Sequence, residues 1–577
     1  MLTLGIHDGH TATACLMEDG EILACISEER LNKEKEWAGF PEQSIRECLC
    51  LAGRSAEEID RVGVCSLMPQ IGSYGYHNPA WYKRLFGAAV RLLPDRALQS
   101  PANVNRVRRL SGMLFGGRRH DIVERLGRMG IPEEKVAFYD HHRCHAATTY
   151  YLSWNRDRGR NLVITLDGSG DGVCATINIG DNGRLETIAE TFNYNSICEF
   201  YTRVTQYLGM KPMAHEFKVM GLAPYASGYG KDDMRNLFRS WFSVSPDDPL
   251  QVVNTSGAWK WQFLDRMRRE LGFTRFDTIA GATQEVFEEI CLQWIRNAIR
   301  ETGIGNVALS GGGFMNVKLN YVISELPEVE SLFVFPSCGD ESNPIGACAL
   351  AALDAGFDYR QIRSMGMPYW GHAYGEEEIR KAIDERLAGL GLGISRHDDV
   401  NQALAERLVA GKVAGRFTGR MEWGARALGN RSIVADPRNS QIIHKINKAI
   451  KMRDFWMPFA PAILVEYRER YVKLRPDYHC PHMTIAPETH EEAHDAIPAG
   501  LHPFDRTARC QILDPENHPS FHDLVTKFER MSGIGGVLNT SFNLHGDPIV
   551  MSPEDAIRTF LDSGLEVLQL ENWLIEK

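Results

Sequence analysis

The chain has 577 residues, of which 44% are hydrophobic and 24% charged, and its formal net charge is -11 at pH 7. This length predicts two or more domains, because a domain averages ~150 residues. The acidic balance argues against a nucleic-acid binder. The sequence has no apolar run of the ~18 residues that a membrane span needs, no signal-peptide pattern, and no CxxC pair among its thirteen cysteines. We therefore expect a cytoplasmic protein without a disulfide framework.

Two stretches share a pattern of a strand, a polar loop and a hairpin. An apolar strand over 2–6 runs into a loop that contains histidine and glycine, and a further pair of strands flanks the Asp19-Gly20 turn. A strand over 161–166 likewise ends in Asp167-Gly168 and is followed by a hairpin around Asn182-Gly183. Such repetition predicts two similar α/β halves that face each other across a cleft, the layout of actin-like and sugar-kinase-like phosphotransferases.

A segment over about 68–130 follows the first pattern and is predicted as an irregular and helical insertion. Between Lys83 and Arg128 it has eleven basic residues against three acidic ones. Charge runs of this kind usually form solvated helix faces. We interpret the segment as solvated surface in preference to a site for an acidic partner.

A candidate domain boundary lies between residues 356 and 375, where the composition turns to glycine, tyrosine, methionine and proline. The sequence is therefore divided into a first domain over 1–360 and a second domain over 370–577. The second domain alternates predicted helices and strands, which again indicates an α/β unit.

Two histidines and two aspartates form a candidate metal site. His141 and His145 are four residues apart, so a helix places them on one face, and imidazole pairs at this spacing suit a divalent metal. Asp167 and Asp340 lie in separate glycine-bearing loops and would complete an open set of ligands. Mixed nitrogen and oxygen ligands admit iron, manganese or zinc, so the residues leave the metal open.

Two polar loops are candidates for catalysis and phosphate binding. The first contains His7, Asp8 and His10, and a histidine there is suited to act as general base toward a hydroxyl near neutral pH. In the second, a strand over 307–309 runs into the triplet Gly311-Gly312-Gly313. Backbone N–H groups at such a turn cradle phosphate.

The stretch from Gly415 to Arg438 is the feature around which the second domain is organised. It holds five arginines, with a glycine at every fourth or fifth position. Arginine matches phosphate geometry, and glycine lets the backbone approach a ligand. We therefore predict a pocket for a phosphorylated substrate, in which Lys451 and Arg453 form a phosphate clamp on an extended segment. The predicted pocket residues are Arg426, Lys451, Arg453, Arg509, Ser541 and Asn543.

Ten motifs along the chain occur in the order of a known family. They include SEER at 27–30, DHHRCHAA at 140–147, LSGGGFMNVKLN at 309–320, GRMEWGARALGNRSIVADPR at 419–438 and NTSFNLHGDPIV at 539–550. Over nearly its whole length the chain resembles the O-carbamoyltransferases of the nodulation-factor, cephalosporin and tobramycin type. The resemblance implies an amino-terminal actin-like domain, similar to the universal tRNA threonylcarbamoyltransferase, and a carboxy-terminal YrdC-like α/β domain.

The resemblance implies two reactions. The second domain joins carbamoyl phosphate to ATP, with Mg²⁺, and forms carbamoyl-adenylate through a carbamate. The first domain transfers the carbamoyl group to a hydroxyl of a small-molecule acceptor. A metal in the first domain, Fe²⁺ by preference over Mn²⁺ or Zn²⁺, stabilises the oxyanion of the transfer step.

Site residues are carried over onto matching positions only. The implied metal ligands are His141, His145, Asp167 and Asp340. The implied catalytic residues are His10, Asp8, Arg426 and Lys451. The implied nucleotide-binding residues are Arg426, Lys451, Arg453, Arg509, Ser541, Asn543, Gly311, Gly312, Gly313 and Asn316. His10-Thr11 replaces the His-Asp pair of the family, and this departure affects the proton-transfer arrangement. Ala425 replaces a proline, and this departure affects only the rigidity of the loop.

Three other functions are weighed against this interpretation. A tRNA-modifying threonylcarbamoyltransferase requires a broad basic face, which the net charge disfavours. A hydrogenase-maturation carbamoyltransferase requires an acylphosphatase module and CxxC zinc fingers, which the sequence lacks. An actin-like ATPase that transfers nothing leaves the arginine-rich stretch unexplained.

The sequence leaves the acceptor open among aminoglycosides, β-lactams, macrolides and oligosaccharides. We expect contacts with the acceptor from residues 68–130 and 225–275. A homodimer is also left open.

Overall fold

The computed structural model describes residues 1–68, 116–226, 228, 230–260, 262–451 and 453–577. These residues form two compact units, the first made of 1–28 and 36–365 and the second of 29–35 and 366–577. Helix α1 (Glu29–Asn32) therefore lies in the second unit, although it is part of the amino-terminal sequence. Most of the predicted insertion, residues 69–115, lies outside the described residues, as does Met452.

Two five-stranded sheets form the framework of the first unit. Their strands are β1 (Leu2–His7), β2 (Thr13–Glu18), β3 (Glu21–Ser27), β4 (Arg61–Cys65), β5 (Val136–Tyr139), β6 (Asn161–Gly170), β7 (Val173–Asp181), β8 (Arg184–Phe192), β11 (Asn306–Ser310) and β12 (Ser331–Val334), while β9 (Phe242–Val244) and β10 (Val252–Asn254) pair separately. The orders are β3-β2-β1-β4-β5 and β8-β7-β6-β11-β12. In both sheets the first three strands are antiparallel and the last two are added in parallel. This identity of order and direction confirms the predicted repeat.

Helices cover these sheets and carry part of the polar loops. They are α2 (Glu42–Ala52), α3 (Gly116–Arg128), α4 (His141–Leu152), α5 (Ile197–Tyr207), α6 (Glu216–Leu222), α7 (Lys231–Arg239), α8 (Gln262–Glu270), α9 (Phe276–Thr302), α10 (Val317–Ser324) and α11 (Asn343–Asp354). Helix α4 packs closely on α11, because a Cβ added to Gly346 would lie 2.0 Å from the carbonyl oxygen of Cys144. That close approach brings His141 and His145 of α4 near the turn Asp340–Ser342, which precedes α11 and contains the predicted ligand Asp340.

An eight-stranded mixed sheet forms the second unit. Its strands are β13 (Gly393–Arg396), β14 (Ala414–Phe417), β15 (Arg431–Ala435), β16 (Ala460–Leu464), β17 (Gln511–Leu513), β18 (Gly536–Ser541), β19 (Val567–Leu570) and β20 (Trp573–Glu576). Their order is β13-β20-β19-β14-β15-β18-β16-β17. The two units thus confirm an α/β chain with mixed sheets.

Helices lie on both faces of this sheet. They are α12 (Glu376–Leu387), α13 (Val400–Val409), α14 (Gln441–Ile446), α15 (Arg468–Tyr471), α16 (Glu491–Ala496), α17 (Pro519–Ser532) and α18 (Pro553–Leu561). Side chains of β15 alternate between two cores: Ile433 packs with α12 and α18, and Val434 packs with α13 and α17. Across the described residues, no helix is both long and apolar enough to cross a membrane.

Candidate active site

Four predicted ligands come together in the first unit. One ligand atom from each of His141, His145, Asp167 and Asp340 lies within 4.8 Å of those of the other three. The Nε2 of His141 is 3.3 Å from Asp167 Oδ2 and 3.4 Å from Asp340 Oδ1. The corresponding distances from His145 Nε2 are 3.3 Å and 3.5 Å. Ligands placed tetrahedrally at about 2.1 Å from a metal are about 3.4 Å apart, so this donor set fits a divalent cation.

Helix α4 presents both histidines because of its start and its neighbours. The Asp140 side chain caps the helix by accepting the backbone N–H of Arg143 at 3.1 Å. His141 and His145 follow one turn apart, with ring centroids separated by 4.8 Å. A Cβ on Gly170 would lie 2.1 Å from the His141 ring. Glycine at this position therefore allows β6 to bring its loop against the histidines.

Replacing Gly170 by alanine is expected to displace the His141 ring, to weaken metal binding and to lower the free energy of unfolding by about 1–3 kcal/mol, the usual cost of overpacking. Metal content and denaturant unfolding measure the two effects. Gly168→Ala is the matched control, since a Cβ there would meet no atom within 4 Å. Equal metal content in the two variants would show that Gly170 does not set the position of His141.

Opposite charges hold the four predicted ligands together. Burial disfavours the charged form of His141, but the carboxylates of Asp340 and Asp167 outweigh it and raise the His141 pKa well above its ordinary value. Burial raises the pKa of Asp167, yet hydrogen bonds with His141 and His145 hold it well below the usual range. His142 lies between His141 and His145 in the sequence. Burial lowers the pKa of His142 to about 3, so this histidine is neutral.

The loop that contains His10 lies beside Asp340. The Nε2 of His7, a buried residue, is 3.1 Å from the carbonyl oxygen of His10 and 3.6 Å from Asp340 Oδ2. Thr11 has a φ of 59°, and its Oγ1 lies 2.5 Å from the carbonyl oxygen of His10 and 3.4 Å from Glu341 Oε2. Burial raises the pKa of Glu341. Glu341 was not predicted from the sequence; the available signal was its position next to Asp340 in the segment GDESNPIGA at 339–347.

Asp8, predicted as catalytic, lies in the same loop and forms a buried ion pair. Arg118 donates from Nε to Asp8 Oδ2 at 2.9 Å and from Nη2 to Asp8 Oδ1. Arg118 belongs to helix α3, in the segment interpreted as solvated surface. That interpretation is wrong for Arg118, because its guanidinium is buried against Asp8, whereas the neighbouring Arg119 and Arg128 are exposed.

The glycine triplet follows β11 and approaches the end of β6. Gly311 has a φ of 99°, and a Cβ on Gly312 would lie 3.1 Å from Asp167 Oδ1. Asn316 caps helix α10 and exchanges two hydrogen bonds with Gln284, at 3.0 Å and 2.9 Å. The triplet therefore lies beside Asp167, a predicted metal ligand, and the amide of Asn316 is engaged in bonds with Gln284 beside the following helix.

In the second unit, Lys451 is the centre of the predicted polar set. Its Nζ donates to the backbone and side-chain oxygens of Ser541 and Asn543. Burial lowers the Lys451 pKa well below its ordinary value, and the charge of Arg453 adds to this effect. The prediction of an extended segment is wrong here, because Lys451 ends the π-helical turn Asn447–Lys451, a geometry that often occurs at functional sites.

Three arginines lie close together near this lysine. Arg453 donates to Thr540 Oγ1 at 3.0 Å and lies over the Phe459 ring at 4.9 Å. Burial lowers the pKa of Arg453 to about 10 and that of Arg509 to about 9, the latter with help from the charges of Arg426 and Arg453. Within the described ranges, neither Arg453 nor Arg509 has a carboxylate ion-pair partner. Since desolvated like charges are unfavourable without an opposite charge, the cluster is suited to bind an anion.

Other arginines of the glycine-rich stretch brace it. Arg431 donates to four backbone carbonyl groups and lies 3.6 Å from the centroid of the Phe417 ring. Arg416 donates to Gly429 O at 2.9 Å and to three neutral side chains. Arg438 pairs with Asp436. Arg431 and Arg416 are thus satisfied by neutral groups and Arg438 by a carboxylate, whereas Arg453 and Arg509 have no carboxylate partner among the described residues.

A cation of segment 29–35 contacts the glycine-rich stretch 415–438. Arg30 is buried and donates from Nη2 to the carbonyl oxygen of Gly424 at 2.9 Å. The charge of Lys35, in the same segment, contributes to the lowered pKa of Lys451. Neither residue was predicted as a site residue from the sequence, although Arg30 ends the SEER motif.

Comparison with protein families covers both units. Residues 2–349 match the family model described as "Carbamoyltransferase N-terminus", and residues 405–577 match "Carbamoyltransferase C-terminus". The chain belongs to the carbamoyltransferase family. The predicted family and enzyme class are thereby confirmed.

Relatives of this carbamoyltransferase match over most or part of its length. "Uncharacterized protein MJ1051" of Methanocaldococcus jannaschii is 31% identical and covers 100% of both chains. Nodulation protein NolNO of Sinorhizobium fredii is 29% identical over 99% of this chain and 79% of its own. The 3'-hydroxymethylcephem-O-carbamoyltransferase of Streptomyces clavuligerus is 30% identical over 43% of this chain and 44% of its own.

Among solved structures, HypF of T. kodakarensis is similar over 62% of this chain and 48% of its own, at 12% identity and a TM-score of 0.32. A similarity at this level carries no argument about function. The α/β class therefore rests on the sheets of the carbamoyltransferase itself.

Proposed function

We propose that this carbamoyltransferase is ATP-dependent and carbamoylates a hydroxyl of a small-molecule acceptor. Water first hydrolyses carbamoyl phosphate to carbamate, and orthophosphate leaves. A carbamate oxygen then attacks the α-phosphorus of ATP, and pyrophosphate leaves. The acceptor hydroxyl then loses its proton and attacks the carbamoyl carbon of the adenylate, and AMP leaves. The observation that carries this proposal is the cluster of Arg426, Arg453 and Arg509, in which Arg453 and Arg509 have no carboxylate partner among the described residues.

In the proposed division of labour, the second unit is YrdC-like and forms the adenylate. Arg453 and Arg509 bind the phosphates of ATP, and Mg²⁺ with these cations neutralises the charge of the departing pyrophosphate. Lys451 positions the α-phosphate from its bonds with Ser541 and Asn543. The alternation of buried cations and glycine backbone in the arginine-rich stretch supports this assignment.

The first unit is proposed to transfer the carbamoyl group. The metal set of His141, His145, Asp167 and Asp340 would hold a divalent ion, with Fe²⁺ proposed. When bound, such an ion acts as a Lewis acid toward the carbamoyl oxygen. His10 accepts the proton of the acceptor hydroxyl. The backbone N–H groups of Gly311, Gly312 and Gly313 bind the phosphate of the adenylate.

Pyrophosphate release tests the proposal. Incubation of the protein with ATP, Mg²⁺ and carbamoyl phosphate is expected to yield pyrophosphate, and omission of carbamoyl phosphate is expected to abolish it. Release of ADP and orthophosphate in its place, independent of carbamoyl phosphate, would indicate an ATPase that transfers nothing.

Replacing Arg30 by glutamine is expected to raise the KM for ATP in this assay on the order of 10-fold, because a hydrogen bond from a charged group contributes about 1.5–3 kcal/mol. Arg30 holds the backbone of Gly424, two residues from Arg426. Arg46→Gln is the control, since Arg46 is exposed and paired with Glu42 in α2. An unchanged KM in Arg30→Gln would remove segment 29–35 from the ATP site.

A further inference from the structure

A buried ion pair lies behind the metal ligands, at the end of β4. Arg118 and Asp8 are 6% and 2% exposed. Besides its bonds to Asp8, Arg118 donates from Nη1 to the carbonyl oxygen of Ser66 at 2.7 Å and from Nη2 to that of Cys65 at 2.9 Å. One guanidinium thus joins the polar loop after β1 to the residues that end β4.

Ser66 is held in a backbone conformation that serine rarely adopts. Its φ is 72°, in the left-handed region. Arg118 fixes its carbonyl group from one side. On the other side, Asp171 accepts the backbone N–H groups of Leu67 and Met68 at 2.9 Å and 2.7 Å. Hydrogen bonds with Arg118 and Asp171 thus hold the backbone on both sides in an unfavourable conformation. We infer that the position of the Ser66 side chain has a function.

The Ser66 side chain points to a metal ligand. Its Oγ lies 3.2 Å from His141 Nδ1, and the Oγ of Ser310 lies 3.3 Å from His145 Nδ1. Both Nε2 atoms face the carboxylates of the proposed metal site. A hydroxyl that accepts Nδ1–H keeps the proton off Nε2 and fixes the plane of the ring, as outer partners of metal-bound histidines commonly do. Asp171 also accepts the backbone N–H of His141 at 2.8 Å.

We propose that Ser66, locked in place by the Arg118–Asp8 ion pair and by Asp171, is a positioning residue that presents Nε2 of His141 to the metal. Asp8 then acts on metal affinity through Arg118 and Ser66. Within the described part of the basic segment, the buried Arg118 supports the site, in contrast to the exposed Arg119 and Arg128. This inference rests on the proposed metal site.

Ser66→Gly tests the role of the hydroxyl with little change to the backbone, because glycine adopts positive φ readily. Titration of the metal-free protein with Co²⁺, followed by its visible absorption, is expected to show binding about 10- to 100-fold weaker than wild type. At saturating Co²⁺ the absorption spectrum is expected to change as well, since the His141 ring is no longer fixed. Asn182→Gly is the matched control: it has a φ of 48° in the exposed β7–β8 turn, and it is expected to bind Co²⁺ as wild type does.

Arg118→Gln tests the ion pair and is compared with Arg119→Gln, its exposed neighbour. We expect weaker Co²⁺ binding in Arg118→Gln and in Asp8→Asn, and little further loss when either is combined with Ser66→Gly, because the three act through one contact. Wild-type affinity and an unchanged spectrum in Ser66→Gly would overturn the positioning role. Failure of the wild-type protein to bind Co²⁺ would instead show that the metal site itself is wrong.

Discussion

Replacing Arg509 by methionine is expected to lower carbamoyl-phosphate-dependent pyrophosphate release on the order of 10²- to 10³-fold, the usual loss when one pre-organised group that stabilises developing charge is removed. Burial lowers the pKa of Arg509, and the charges of Arg426 and Arg453 lower it further. Arg509 has no ion-pair partner among the described residues. Its charge is therefore available to the leaving pyrophosphate. The measurement is the initial rate of pyrophosphate formation at saturating ATP.

Arg506→Met is the matched control, because Arg506 is three residues away and exposed. It is expected to retain the wild-type rate. The Arg509 variant is also expected to gain stability in unfolding experiments without ligand, since a desolvated like charge is removed. A wild-type rate in Arg509→Met would contradict the assignment of this cluster to pyrophosphate departure.

Replacing His10 by alanine is expected to lower carbamoyl transfer to an acceptor about 10²- to 10⁴-fold, the range for loss of a general base. Pyrophosphate formation by the second unit is expected to stay near the wild-type rate. The two quantities are measured together, as carbamoylated acceptor and pyrophosphate per enzyme in a single turnover. Carbamoyl-adenylate or its breakdown products are expected to replace the carbamoylated acceptor.

The control for His10→Ala is His490→Ala, an exposed histidine of the second unit, which is expected to leave both quantities unchanged. Loss of pyrophosphate formation in His10→Ala would contradict the division of labour between the units. An unchanged transfer rate would assign the proton to another group, with Glu341 beside Thr11 as the next residue to replace.

Local turn chemistry explains why the framework of the first unit could be predicted. The Asp19-Gly20 and Asn182-Gly183 turns have the positive φ angles that tight hairpins require, and they fix the same strand order twice. The histidines of α4 could also be identified, because a four-residue spacing places them on one helix face. Asp167 and Asp340 were predicted from their glycine-bearing segments and from the family motifs together. The prediction of a loop is wrong for Asp167, because strand β6 continues to Gly170.

Contacts between distant parts of the sequence could not be predicted in the same way. Arg118 is 110 residues from Asp8, and no local pattern distinguishes it from Arg119. Arg30 belongs to the second unit although it lies near the start of the chain. The prediction of an extended segment at Lys451 was wrong. The π-helical turn there is accompanied by hydrogen bonds from Lys451 to Ser541 and Asn543, which form only in the folded unit.

Transfer of an ¹⁸O label from carbamoyl phosphate to AMP tests the central claim most directly. If a carbamate oxygen attacks the α-phosphorus of ATP, carbamoyl phosphate that is labelled in its carboxyl oxygens will leave an ¹⁸O atom in the AMP that is released after transfer. Mass spectrometry of AMP from reactions with a hydroxyl acceptor measures this. Labelled AMP formed together with pyrophosphate is the predicted result. Unlabelled AMP, or ADP as the nucleotide product, would contradict activation of the carbamoyl group as an adenylate.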